Sequence, residues 1–197
     1  MRTEWEEIEC YHRDPGETGR ARIESLCKIM EDSFYPNSKI RFLEIGVFQG
    51  DVAEHLLVSI PEVEYTGIDP WCLQPEAIYK DDANNQSLLD HSELLSRNRT
   101  ARFGERCNLV KDFSSVIAPT IDNKFFDMIY IDGNHSTEAV VEDITLWYPK
   151  CRKVICGHDF APGWGSVMDG VLIASQRIGF QVEICWPYSS VWFAVVG

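Results

Sequence analysis

From Ile40 the chain reads IRFLEIGVFQGDVAEHLL, and no other stretch narrows the fold as far. Strand-forming residues Ile40–Ile45 run into Gly46, and a second glycine, Gly50, precedes Val52, Ala53, Leu56, Leu57 and Ile60, which recur at helical spacing up to Pro61. The order predicts a strand, a tight loop and a helix. In open α/β sheets a loop in that place is where ligands bind.

The same alternation continues to the end of the chain. VEYTGI (63–68), CNLV (107–110), FFDMIYI (125–131) and KVICG (153–157) read as further strands. Helices are predicted between them, around 84–99, across Val140, Val141, Ile144 and Trp147, and across Val167, Val171, Ala174 and Ile178, with Gly179 placed as a C-terminal cap. An amphipathic helix from about Arg20 to Phe34 precedes them all, marked by Ile23, Leu26, Cys27, Met30 and Phe34. The final segments FQVEIC (180–185) and VWFAVV (191–196) are too close for a crossover and predict an antiparallel hairpin. The expectation is an α/β, doubly wound, mostly parallel seven-stranded sheet with a C-terminal antiparallel hairpin. It would form one domain over 1–197, with 1–38 as an N-terminal segment and helix and 71–106 as an insertion.

Charge limits the partners. Lys+Arg 18 against Asp+Glu 31 gives a net charge of -13, which repels phosphate backbones and anionic lipid. The one local basic cluster, Arg97, Arg99, Arg102 and Arg106, reads as a solvated helix face. Neither nucleic acid nor a membrane is therefore expected as a partner. The start, MRTEWEEIECYHRDPGE, has no apolar core of signal-peptide length. The seven cysteines are never spaced C-x-x-C and read as reduced thiols of a cytoplasmic protein.

The loop after the first strand does not suit a dinucleotide. A pyrophosphate needs a second glycine two positions after the first, and Phe48 stands there. The pattern is instead Glu44-x-Gly46-x-x-x-Gly50, and a carboxylate beside the ligand favours a cationic or hydroxyl-rich one. Glu44 exposed beside a plain glycine turn would give the same pattern. Asp69 ends the second strand, where an acid can take both hydroxyls of a ribose, and Trp71 can cover an adenine; an Asp-Pro turn with Trp71 in the core is the other reading. Asp112, after the third strand, can accept from an adenine amino group, and Asp132 follows the fourth.

This ordered set resembles the successive motifs of class I S-adenosylmethionine-dependent methyltransferases, over nearly the whole chain from about Arg41 to Val196. IDGNHSTEAVVEDITLWYP followed by GHDF is similar to the small-molecule O-methyltransferases, including macrolide-sugar and cephalosporin-type enzymes and, more distantly, catechol methyltransferases. The resemblance implies a Rossmann-like methyltransferase fold and S-adenosyl-L-methionine as cofactor. Gly46 and Gly50 would let backbone approach the methionine part, Glu44 would orient the loop, Asp69 would bind the ribose, and Asp112 with Phe113 would hold the adenine. Asp132 would complete that site.

Methyl transfer asks the enzyme to position an acceptor and manage one proton. Asp132 and Asp159 end neighbouring strands, with Asn134 and His158 within reach. In metal-dependent relatives a carboxylate after the fourth strand and an acidic or amide pair after the fifth hold Mg²⁺. Here Asp132 and Asp159 match the first and last positions, His158 stands where those relatives have a carboxylate, and the histidine makes Mn²⁺ as plausible as Mg²⁺. His135 and His158 compete for the role of base. His135, at the start of a helix, would be kept neutral by the helix dipole. His12, His55 and His91 read as surface or packing residues. The acceptor would be a small hydroxylated molecule such as a sugar, met by residues 1–20, 71–106 and 161–166, with Trp71, Tyr79, Trp164 and Trp186 as candidate flat faces. A cleft completed by another subunit, as a homo-oligomer, would suit a large acceptor. Two rivals remain in the sequence. One is a non-catalytic S-adenosylmethionine or nucleoside-binding module; the other is a nicotinamide-dependent oxidoreductase, against which Phe48 and Glu44 count.

Overall fold

Residues Ile40–Ile45 form β1, buried along nearly all its length, as a central strand covered by helices on both faces must be. The computed structural model describes residues 19–34, 38–74, 85–185 and 189–197. Within them the chain runs α1 (Gly19–Ser33), β1, α2 (Asp51–Ser59), β2 (Val63–Ile68), α3 (Gln86–Thr100), β3 (Cys107–Val110), α4 (Ser114–Ile117), β4 (Phe126–Ile131), α5 (Thr137–Trp147), β5 (Cys151–Gly157), α6 (Gly165–Ile178), β6 (Glu183–Ile184) and β7 (Trp192–Val195). The sheet order is β3-β2-β1-β4-β5-β7-β6, parallel from β3 through β5. β7 lies antiparallel against both β5 and β6, so the hairpin expected from the sequence closes the sheet with β7 on the inner side.

Period-two alternation sorts the strands' side chains into two apolar layers. Ile40, Phe42, Tyr65, Met128 and Tyr130 face α1 and α2, where they meet Ile23, Leu26, Met30, Val52 and Leu56. Leu43, Ile45, Ile129 and Ile155 face α5 and α6, where they meet Ile144, Trp147, Val167 and Val171. Glu44 and Asp132 fall in step with Phe42 and Tyr130, and so point toward the α1 side.

Caps mark three of the helix ends. Asn85 accepts from the Ser87 N–H and starts α3, and Ser136 accepts from the Ala139 N–H and starts α5. Gly179 ends α6 in the left-handed conformation, φ 89°, with its N–H on the Ser175 carbonyl. β6 is shorter than the predicted 180–185 strand, because only Glu183 and Ile184 find ladder partners on β7.

The expected basic face is spent on internal pairing. Arg99 bonds the Gln49 carbonyl and pairs with Asp51, and Arg102 pairs with Glu54. Arg106 donates to the carbonyls of Leu57, Ile60 and Val63, and Arg97 lies over the Trp71 ring. α3 and the turn after it therefore brace the start and end of α2. Among the described residues no helix is long and apolar enough to cross a membrane. Cys27, Cys72, Cys107, Cys151, Cys156 and Cys185 are free thiols, and burial pushes Cys151 up to about 12.

Candidate active site

β1 has β2 on one side and β4 on the other, and the chain reverses its direction of growth between β1 and β4. The crevice at their carboxyl ends is where such a fold takes a ligand. The loop after β1 carries three left-handed residues, Gly46 (φ 89°), Phe48 (φ 49°) and Gly50 (φ 79°). At Gly46 the conformation is not the only constraint: a Cβ there would sit 2.1 Å from the Asp132 carbonyl oxygen. Gly46 thus lets the β1 and β4 loops touch, backbone to backbone. Gly50 opens α2.

Asp69 ties the first two loops together. Its Oδ2 accepts from the Phe48 N–H at 2.9 Å and its Oδ1 from the Trp71 N–H at 2.7 Å. Burial pushes its carboxyl up, against the opposing pull of the Phe48 and Trp71 N–H groups. Each carboxylate oxygen has a second lone pair, so these bonds leave acceptor capacity for ribose hydroxyls. Trp71 departs from the expected role as an open adenine cover. It is 1 % exposed, and its indole N–H donates to the Phe48 carbonyl at 2.8 Å, so it pins the glycine loop from inside. Glu44 also departs from expectation. It turns into the sheet and accepts from the Tyr65 hydroxyl, and burial raises its carboxyl well above the usual range. Asp112 accepts from the Phe113 N–H at 2.8 Å, and Phe113 remains exposed beside it at the end of β3.

The four residues expected to carry chemistry do meet. Asp132 follows β4; Asp159 follows β5 and takes a left-handed φ of 60°, an unusual backbone state that places its carboxylate between two histidines. His135 Nε2 lies 2.9 Å from Asp159 Oδ2 and 3.5 Å from Asp132 Oδ1. His158 Nδ1 lies 2.8 Å from Asp159 Oδ1, and its Nε2 lies 3.1 Å from Ser190 Oγ. Asp132 Oδ2 accepts from Arg22 Nη1 at 2.8 Å and from the Tyr130 hydroxyl at 3.1 Å. Arg22, Tyr130 and Ser190 were not among the predicted site residues. The signal for Arg22 was its place one residue before Ile23, on the core-facing side of an amphipathic helix.

The charges follow from these contacts. Burial would raise Asp132, but the Arg22 guanidinium and the His135 hydrogen bond hold it well below the usual carboxylate range. Burial would raise Asp159 too, and the two histidines overcome it in the same direction. Burial would lower His135, yet its bonds to Asp132 and Asp159 raise it to about 9. This corrects the expectation of a neutral His135, since two carboxylates within hydrogen-bonding range outweigh one helix dipole.

Asp132, His158 and Asp159 each offer a ligand atom within 4.8 Å of the others, a spacing that suits a metal ion. Their oxygens already have partners. Asp132 Oδ2 already carries Arg22, and the two oxygens of Asp159 carry His158 and His135. A divalent ion here would compete with Arg22 and His135 for these oxygens.

On the acceptor side Trp164 packs against His135, ring centroids 4.7 Å apart. Asn134 Nδ2 donates to Gln74 Oε1 at 3.2 Å, which brings the start of the 71–106 stretch to the β4 loop. Tyr79, Trp186 and the segment 1–18 lie outside the described residues.

A family model described as a methyltransferase domain matches residues 43–160. The uncharacterized protein R132 of Acanthamoeba polyphaga mimivirus is 25% identical over 172 residues, covering 78% of this chain and 71% of that one. Among solved structures, a putative caffeoyl-CoA O-methyltransferase from Staphylococcus aureus superposes with TM-score 0.60 at 12% identity, covering 90% of this chain and 83% of that one. Cofactor-bound Rv0187 from MTB gives 0.57 at 18% identity, covering 96% and 84%. CalS11, a TDP-rhamnose 3'-O-methyltransferase, gives 0.56 at 14% identity, covering 89% and 78%. With its glycine loop, its acids at successive strand ends and this family match, the chain belongs to the class I S-adenosylmethionine-dependent methyltransferases.

Proposed function

We propose that the protein transfers the methyl group of S-adenosylmethionine to a hydroxyl oxygen of a small acceptor, with a sugar as the favoured class. The observation that carries this reading is the meeting of Asp132, His135 and Asp159 at the ends of β4 and β5, beside the Gly46 loop. Likeness of fold to CalS11, whose name states a sugar substrate, supports the acceptor class.

The cofactor supplies an activated methyl group on a sulfonium, and the chain's residues orient and deprotonate. In this reading Asp69 binds the ribose, Asp112 and Phe113 hold the adenine, and Gly46 keeps backbone close to the methionine part. His135 takes the acceptor's proton. Its side chain is 18% exposed with both ring nitrogens beneath the surface, whereas that of His158 is 1% exposed. His158 instead holds Asp159, and Asp159 with Asp132 orients His135 and stabilises its imidazolium once the proton has arrived. Trp164, against the His135 ring, offers a flat face to a sugar or aromatic acceptor.

The test is a screen of sugar, nucleotide-sugar and phenolic acceptors with isotopically labelled S-adenosylmethionine, using wild type and Asp159→Asn in parallel. The expected result is label in an ether-linked methyl group with wild type and loss of transfer in the variant, with cofactor binding kept. Label on nitrogen or carbon, or full transfer by the variant, would contradict the reading.

A further inference from the structure

α1 carries a core-facing stripe in which Arg22, Leu26 and Ile29 follow at helical spacing. Leu26 and Ile29 are buried under β1 and β4, and an apolar residue would complete the stripe at position 22. The chain has arginine there. A guanidinium in that place needs a partner, and it finds one in Asp132, with Nη1 2.8 Å from Oδ2. The two side chains are only 16% and 11% exposed. The Tyr130 hydroxyl, from the same sheet face, donates to the same oxygen.

We propose that Arg22 is the permanent cation of this active site, delivered by α1 onto the Asp132 carboxylate, where it stands in competition with any divalent ion. The inference rests on the methyltransferase reading only in that Asp132 belongs to its site. Arginine does not lose its proton in proteins, so the counter-charge stays in place at any working pH. The contact fixes Asp132 from one side, leaving Oδ1 directed at His135. Arg22 is thus a positioning residue that acts through Asp132. The first helix becomes part of the catalytic apparatus, and the site needs no metal to balance its carboxylates.

Mn²⁺ alone, titrated into the full chain and followed by the electron paramagnetic resonance of the free ion, tests this without cofactor or acceptor. Wild type is expected to bind weakly, and Arg22→Ala to bind roughly tenfold or more tightly, because a positive charge next to the ligand oxygen is gone. Arg22→Lys should restore weak binding, and adding Asp132→Asn to Arg22→Ala should abolish the gain. Equal Mn²⁺ affinity in wild type and Arg22→Ala would overturn the proposal. If Arg22→Ala does not fold, Asp132→Asn in the otherwise native chain decides: unchanged Mn²⁺ affinity supports the proposal, and a fall overturns it. Binding of S-adenosylhomocysteine to wild type, measured separately, reports on the methyltransferase reading by itself.

Discussion

The Nε2 of His135 lies 2.9 Å from Oδ2 of Asp159, one of the two carboxylates that raise the imidazole. With Asp132 Oδ1 3.5 Å from the same nitrogen, the imidazole is raised to about 9. A base with that value is about 1% unprotonated at pH 7, so the methyl-transfer rate should climb about tenfold per pH unit and level off near pH 9. Histidine resonances followed by NMR in wild type and His135→Gln identify the group directly. Titration of His135 near 6.5 would contradict the assignment.

The same shift is a stability statement. His135 binds its proton more tightly folded than unfolded, so its contribution is complete below about pH 6.5 and is lost as pH rises through about 9. Wild type should therefore lose about 2–3 kcal/mol relative to His135→Gln between pH 6 and 10, read from denaturant midpoints. Parallel curves for the two proteins would be the contrary result.

Asp143 gives a second pH window on the opposite side of β4. Burial raises its carboxyl to about 7, although the Ser114 hydroxyl donates to it. An acid raised in this way favours the native state at low pH, and that advantage fades as pH rises from about 4 through about 7. Asp143→Asn removes the titration and keeps an acceptor for Ser114. The variant should gain on wild type by about 2–4 kcal/mol between pH 4 and 8, measured by urea unfolding.

At Gly46 a methyl group would meet the Asp132 carbonyl at 2.1 Å, in a backbone state that L-residues rarely adopt. Gly46→Ala should lower stability by about 2 kcal/mol or more and weaken S-adenosylhomocysteine binding with it. Thermal unfolding and calorimetry on the same preparation check both halves.

The fold was legible because its strands announce themselves. Ile40–Ile45 and Val63–Ile68 are dense in strand formers and end at glycine or acid, and the structure keeps their predicted bounds and those of Cys107–Val110. The convergence of Asp132, His135, His158 and Asp159 followed from the adjacency of β4 and β5. What sequence could not supply was contact between distant segments. Arg22 reaches Asp132 across 110 positions, Ser190 reaches His158 across 32, and Tyr65 takes Glu44 out of the ligand's reach. The His135 expectation failed for the same reason: a helix terminus is visible in sequence, whereas two carboxylates closing on one imidazole are not. Trp71 looked like a ligand cover because its burial depends on α3 packing over it, with Arg97 against its ring.

We propose that Asp69 and the Gly46 loop form an S-adenosylmethionine site separable from the chemistry at Asp159. Its most direct test is calorimetric titration of S-adenosylhomocysteine into wild type, Asp69→Ala and Asp159→Asn, with NAD as a control. Two backbone N–H groups converge on Asp69, and in the proposed reading it also takes the ribose, so Asp69→Ala should lose about a hundredfold or more in affinity. Wild type and Asp159→Asn should bind alike, and NAD should not bind. Failure of the wild-type chain to bind S-adenosylhomocysteine, or undiminished binding by Asp69→Ala, would contradict the account.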